Sequence, residues 1–233
     1  MAARLGSMST KLGILGWRDT RPLDAMGMPT EAHESFHNLI HAAIDREMIR
    51  MNVDESWHTQ EAATHRAPSG VAKEGDYTGA AILAGGKLRR WPTLAIEVGR
   101  SQSLESLRTV MRLWFHESEH AVKIVILVKL YRNNRSILVE KYAEGPVAVQ
   151  RPGATTTRFA QGDLAPILRQ AITIREATGC PLEYKVSGAP LVLEFNLRFL
   201  RLPDLAAGEG DIIIDEQSLQ RAAALTWAEY EDE

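Results

Sequence analysis

The run Val122-Lys-Ile-Val-Ile-Leu-Val-Lys-Leu130 constrains the fold more than any other stretch. Its β-branched residues favour a strand that fits a pleated, buried surface. Asn133-Asn134 supplies a turn after it, and Ser136 to Tyr142 reads as the returning strand. Lys123 and Lys129 interrupt the run, which in any case falls far short of the ~18 apolar residues that a membrane span needs. A buried strand in a chain of 233 residues requires layers on both sides, so one α/β domain with appendages is the simplest organisation. The 45% hydrophobic content is enough to build such a core and argues against a disordered chain.

Helical periodicity appears on both sides of this run. Thr30 can cap a helix over residues 30–50, in which Phe36, Leu39, Ile40, Ala43 and Ile44 recur at helical spacing. Ser103 can cap a second helix to Glu117, with Leu104, Leu107, Met111, Trp114 and Phe115 on one side. Between them, Asp76 to Leu83 and Leu94-Ala-Ile-Glu-Val98 read as strands joined through Gly85-Gly86. Residues 52–70 are polar and give no clear pattern. Further on, Pro152-Gly153 predicts a turn and Thr155 to Phe159 a strand. Asp163 predicts a capped helix over Leu164 to Thr178, stopped at Gly179. Leu191 to Phe199 alternates apolar and polar, which predicts a half-buried strand. A last helix starts at Asp215 or Ser218 and ends near Tyr230. The divisions that follow are an N-terminal extension 1–29, a main domain 30–202, and a C-terminal loop, helix and acidic tail 203–233.

The chemistry lies between Lys73 and Leu130. Glu97 interrupts an otherwise apolar strand, and an ionised carboxylate there is costly unless a cation or a metal pairs with it. Asp76 begins the neighbouring strand. If the two strands pair antiparallel, both acids come to one end of the sheet. Two convergent carboxylates with room for water form a hard oxygen site suited to Mg²⁺ or Mn²⁺. The plainer alternative is an acid on a solvent-facing edge, or one paired with a nearby arginine.

The order helix, strand with Asp, strand with Glu, helix, strand resembles the core of the PD-(D/E)XK nuclease superfamily. Lys73-Glu74-Gly75-Asp76, then Pro92-Thr-Leu-Ala-Ile-Glu97-Val-Gly-Arg-Ser101-Gln-Ser103-Leu, then Trp114 and Val122-Lys123, are similar to a branch of fungal hypothetical proteins. That branch is related to the Uma-type restriction-endonuclease-like proteins. The resemblance covers residues 73–130. It implies an α/β (α+β) restriction-endonuclease-like mixed sheet flanked by helices, with extra C-terminal strands and a helix. It also implies a Mg²⁺ or Mn²⁺ cofactor and hydrolysis of phosphodiester bonds in DNA or RNA. By this resemblance Asp76 and Glu97 fall on the metal-binding motif positions, and Glu31 or Glu34 on the first helix is a candidate outer-shell acid for the metal. The lysine expected two residues after the glutamate is Gly99. Such a lysine would polarise the attacking water and support charge in the transition state. Arg108 or Arg112, one turn apart, or Gln102 acting on water, are candidate replacements. Loss of catalysis, leaving a silent binding module, is the alternative. A third reading makes the acid pair coincidental.

Other clusters have competing explanations. Lys123, at the start of the central strand, is a candidate phosphate contact beside the acids or a solvated strand end. Lys87, Arg89 and Arg90 could track a nucleic-acid backbone from a hairpin beside the site, or simply solvate a turn. His33, His37 and His41 share a helix face. They could share a metal, but that face must also cover a core edge. Trp91 and Trp114 read as packing groups, and Cys180 as inert. Gly75-x-x-x-Gly79 lacks the Lys-Ser/Thr of a phosphate loop, and no nucleophile elbow or dinucleotide fingerprint is present. A net charge of -3 gives no global basic field, so nucleic-acid binding would need a local patch. The single cysteine and the lack of a secretory pattern suggest an intracellular place, in cytoplasm or nucleus, with no membrane partner. Self-association into a homodimer is left open.

Overall fold

The computed structural model describes residues 31–60, 64–67, 69–70, 72–146, 164–177 and 179–230. The N-terminal extension, the Thr30 cap, the Pro152-Gly153 turn, the Thr155–Phe159 strand and the acidic tail lie outside them. A seven-stranded sheet dominates, in the order β1-β4-β5-β6-β7-β8-β9. Its strands are β1 (Trp57–Thr59), β4 (Tyr77–Ala81), β5 (Leu94–Gly99), β6 (Ile124–Tyr131), β7 (Ser136–Pro146), β8 (Leu164–Ala177) and β9 (Cys180–Ser187). β5 and β6 pair in parallel, with Glu97 beside Leu127. The other pairings in this sheet are antiparallel. A short hairpin of β2 (His65–Arg66) and β3 (Ala72–Lys73) forms its own sheet.

The parallel pair needs a crossover, and α2 (Leu104–Glu117) supplies it on one face of the sheet. Ser103 caps α2 as its sequence predicts, accepting the Ser106 N–H at 3.1 Å. Leu107, Val110, Met111, Trp114 and Phe115 are buried against Ala95, Val125, Leu127 and Tyr142. α1 (Glu31–Arg50) and α4 (Glu216–Glu229) cover the opposite face. There Phe36, Ile40, Ile44, Leu219 and Trp227 pack with Leu94, Ile96, Ile126, Val128, Ile172 and Ile174. Buried aliphatic groups on this scale stabilise by about 1.5–3 kcal/mol each. β6 therefore has apolar cover on both faces, the mixed sheet between helices that the resemblance implies. The segment after residue 203 shares this core. β11 (Ile212–Ile214) pairs with β10 (Leu191–Leu193), and α4 packs on α1 and β9.

Two sequence expectations are corrected. Residues 164–177 form the long strand β8, not a helix. A helical stripe would have buried Leu164 and Leu168, yet they are 48% and 45% exposed. Ile172 and Ile174 alternate into the core instead, and the β-branched Ile172-Thr173-Ile174 pairs with β7. Gly179 still ends the element, but as a turn residue at φ +79°. The strand expected over residues 191–199 stops at Leu193, and α3 (Phe195–Phe199) follows. Asp211 Oδ1 accepts the Phe195 N–H at 2.8 Å. Burial then shifts from period two to Phe195, Arg198 and Phe199, which is helical spacing.

Candidate active site

β4 and β5 pair antiparallel with Tyr77 opposite Ile96. Continued by one residue, that register sets Asp76 opposite Glu97. The alternate residues Ile96 and Val98 face the α1 side, so Glu97 faces α2. Asp76 Oδ2 accepts the Val98 N–H at 2.6 Å, which fixes its carboxylate beside β5. Two acids from different strands thus stand on one sheet face.

Glu97 is buried, with 7% exposure. Its Oε1 accepts the Trp114 indole N–H at 2.6 Å and lies 2.9 Å from Lys73 Nζ. Burial raises the Glu97 carboxyl above the usual carboxylate range. The Lys73 charge opposes this, the Asp76 charge adds to it, and the Trp114 hydrogen bond lowers it. Two mutually repelling carboxylates, one of them paired with a lysine, form an oxygen-rich site carrying a net negative charge.

Lys73 is the residue that sequence reasoning missed. It stands in the Lys-Glu-Gly-Asp stretch, but a strand of two residues has no periodicity to show where it folds. His65 pairs with Lys73 across the β2–β3 hairpin. The His65 ring stacks on Trp91 and meets Trp114 edge-on, and Trp91 meets Trp114 at a near right angle. Trp91 and Trp114 are buried, so both pack as expected, and Trp114 also binds Glu97.

Packing accounts for Gly99, the position at which the resemblance leads one to expect a lysine. A Cβ at this position would lie 2.5 Å from Leu107 Cδ1 and 3.0 Å from Leu107 Cγ. Leu107 is 1% exposed and anchors α2 on the sheet. The first turns of α2 fill the space in which a side chain at residue 99 would start.

The other expected site residues are distributed differently. Arg108 grips Glu140 with two hydrogen bonds, Nε to Oε2 at 3.0 Å and Nη2 to Oε1 at 2.6 Å. Tyr142 adds its hydroxyl to Glu140 at 2.8 Å. Glu140 stands two strands from Glu97, across Leu127. Arg112 is 3.3 Å from Glu105 and mostly exposed. Neither arginine is brought to the acid pair by these contacts. Gln102 is half-buried in the bend between β5 and α2. Glu31 and Glu34 lie in the first turn of α1, with side chains outside the described residues.

Lys123 was expected beside the acids. Parallel pairing instead sets it next to the start of β5, where its N–H donates to Thr93 O, and its ammonium donates to His120 O at 2.5 Å. The acids are level with Leu127, on the order of 13 Å along the strand. The hairpin containing Lys87 likewise turns beyond Ala81, the end of β4 opposite Asp76. Arg89 and Arg90 return along β2, where Arg90 Nη2 donates to Arg66 O and Arg89 O accepts from Gln60. On α1, His41 lies against Tyr77 and pairs with Asp45 at 3.0 Å. No group of three or more His, Cys, Asp or Glu that could hold a metal forms among the described residues. The side chain of Cys180 is outside them.

The chain matches no protein-family model. It matches no curated protein. A solved structure that it resembles is a candidate nuclease of DUF820 from Anabaena variabilis ATCC 29413. That likeness covers 84% of each chain at 12% identity, with a TM-score of 0.41. No helix among the described residues is long and apolar enough to cross a membrane.

Proposed function

We propose that the chain is a metal-dependent phosphodiesterase acting on DNA or RNA, with Asp76 and Glu97 as its metal ligands and Lys73 in place of the missing motif lysine. The observation that carries this reading is the buried, raised Glu97 carboxyl facing Asp76 with Lys73 at 2.9 Å. The donor set suits Mg²⁺ or Mn²⁺. Such ions take one or two carboxylates and complete their shell with water and substrate phosphate. A bound divalent ion would lower the pKa of a water and stabilise charge developing on the phosphate. Asp76 is oriented by the Val98 N–H and Glu97 by the Trp114 indole, so neither has to reorganise on binding. The Lys73 ammonium is a rotatable donor on a flexible stem. It can hold an attacking water beside Glu97 or support charge on a phosphate oxygen.

One observation favours a second reading. Lys73 and Trp114 already satisfy Glu97 Oε1, so the acid can persist as a structural ion pair in a silent module that binds without cutting. A plasmid-nicking assay and an RNA-cleavage assay with Mg²⁺ or Mn²⁺ separate the two. Cleavage by the full chain, abolished in Glu97→Gln and reduced on the order of 10²–10³-fold in Lys73→Ala, is the expected result. Full-rate cleavage in Glu97→Gln would refute the site assignment. No cleavage of either substrate, together with no divalent-ion binding by calorimetry, would overturn the enzymatic reading.

A further inference from the structure

The sheet extends well beyond the area that α2 covers. Across the α2 face the register runs Glu97, Leu127, Glu140, Ala171. Two steps further along the strands it runs Gly99, Lys129, Leu138, Thr173, Ser187. Two more steps set Ser136 beside Arg175 and Arg175 beside Lys185. Ile172 and Ile174 point into the opposite core, so Thr173 and Arg175 share the face of the acid pair.

Arg175 and Lys185 are both exposed and stand directly across from one another. Like charges in that position destabilise a sheet. Neither side chain has a hydrogen bond or an ion pair among the described residues. The nearby Glu176 is engaged elsewhere, with Arg135 Nε at 3.3 Å. Glu183 lines a separate hollow with Tyr184 and α4. The two cations border an open cavity of about 490 Å³, completed by Thr173, Glu176, Ala177 and Ser187. Buried Lys129 adds a third positive charge on the way to Glu97, its ammonium donating to the Arg100 carbonyl at 2.6 Å. From strand spacing and rise, Arg175 lies on the order of 20 Å from Glu97.

We propose that Arg175 and Lys185, with the Thr173 and Ser187 hydroxyls, form a phosphate-binding track that holds the nucleic-acid backbone several nucleotides from the acid pair. The inference rests on the nuclease reading and assigns it a substrate-binding surface. Two unpaired cations beside hydroxyl donors match successive phosphates. A bound backbone would also relieve the repulsion between Arg175 and Lys185. Such contacts release counterions, so each steepens the salt dependence of binding by close to one in the log–log slope.

The test is fluorescence anisotropy of a labelled DNA duplex with the full chain in EDTA, where binding is read without cleavage. Compared with wild type, the Arg175→Ala/Lys185→Ala double variant should bind about ten-fold more weakly, with a salt slope shallower by about two. Single Arg175→Gln and Lys185→Gln variants should each lose about one. Arg221→Ala, on α4, should bind as wild type does. The double variant should melt no lower than wild type, because it removes a like-charge pair. Unchanged affinity and slope in the double variant would overturn the track and leave the nuclease reading standing. Wild type that neither binds nor cuts nucleic acid would refute both. Inorganic phosphate that stabilises wild type through these two residues, without competition from duplex, would make this a small-anion site and overturn the proposal.

Discussion

Arg198 gives the sharpest test of how this core is built. It is 0% exposed, in the last turn of α3. Its Nη2 donates to Met48 Sδ at 3.3 Å, and its guanidinium lies 4.1 Å from the Trp57 ring centroid and 5.5 Å from that of Phe199. Nε and Nη1 have no hydrogen-bond partner among the described residues. Burial pulls its pKa down to about 10, and electrostatic interactions with Tyr77 and Asp45 offset only part of that. The drop corresponds to a penalty on the order of 3 kcal/mol for holding the cation in the fold at neutral pH. A desolvated cation–π contact returns about 2 kcal/mol. Arg198→Met keeps a similar volume, matches the Met48, Trp57 and Phe199 surroundings and removes the charge. It should stabilise the protein by about 1 kcal/mol, as replacement of buried charged groups by apolar ones often does. The assay is urea unfolding followed by far-UV circular dichroism and tryptophan fluorescence, with an unchanged m-value expected. The pH dependence has a fixed sign. Above about pH 10 the folded protein releases the Arg198 proton while the unfolded chain keeps it. Wild-type stability therefore gains on that of the variant as pH rises through this window. A loss of more than about 1 kcal/mol in Arg198→Met at pH 7 would refute the reasoning, because it would mean that the guanidinium is anchored more strongly than its contacts allow.

Gly99→Lys should not restore a motif lysine. The clash of its Cβ with Leu107 should cost about 1–3 kcal/mol, read as a lowered urea midpoint, with no gain in cleavage. Glu97 has a raised pKa, so between the usual carboxylate range and its folded value the native state keeps a proton that the unfolded chain has lost. Metal-free protein should therefore melt at lower temperature as pH rises through that window. Mg²⁺ or Mn²⁺ should offset the fall by binding the ionised pair, as differential scanning calorimetry would show. Asp215 caps α4 by accepting the Ser218 N–H at 2.8 Å, and the Ser218 hydroxyl, with that N–H second, holds its carboxyl below the usual range. Asp215→Ala should cost about 1 kcal/mol at pH 7 in chemical unfolding. The deficit should shrink as acid protonates the wild-type carboxylate.

The parts of this molecule that could be read from the sequence are those governed by local pattern. β6 followed from one β-branched run, α2 from its Ser103 cap and apolar stripe, and the opposition of Asp76 and Glu97 from two strands separated by a glycine turn. β8 did not, because Leu164, Ile167, Leu168 and Ala171 imitate a helical stripe. Only pairing with β7 makes this segment a strand, in which alternate residues, Ile172 and Ile174, reach the core. α3 was hidden for a related reason. Residues 191–199 alternate as a strand would, but an aspartate far along the chain, Asp211, caps Phe195 and tips the backbone into a helical turn. The basic groups misled in the same way. Arg108 has the spacing to face the acids, but Glu140 on β7 offers a buried fork for its guanidinium.

The missing lysine connects these levels. A side chain two residues after Glu97 would point to the same face as Glu97, because strand positions alternate. In this chain that spot is used to seat Leu107, and with it the first turns of α2. A closely packed helix and a lysine at residue 99 compete for one volume, so any cation near Glu97 has to come from another element. Lys73 comes from a two-stranded hairpin, a unit that is marginal by itself. Its order therefore depends on ties to the main body. Ser69 donates to Glu117 at the end of α2, His65 Nε2 lies 3.4 Å from the Thr78 hydroxyl, and Arg90 donates to the Arg66 carbonyl. The charge balance at Glu97 is thus set by a peripheral hairpin rather than by the central sheet. Removing one of those ties, as in Glu117→Ala, should weaken the Lys73–Glu97 pair and raise the Glu97 carboxyl further while leaving β5 in place, and an NMR titration of the Glu97 carboxyl that shows no upward shift would refute this.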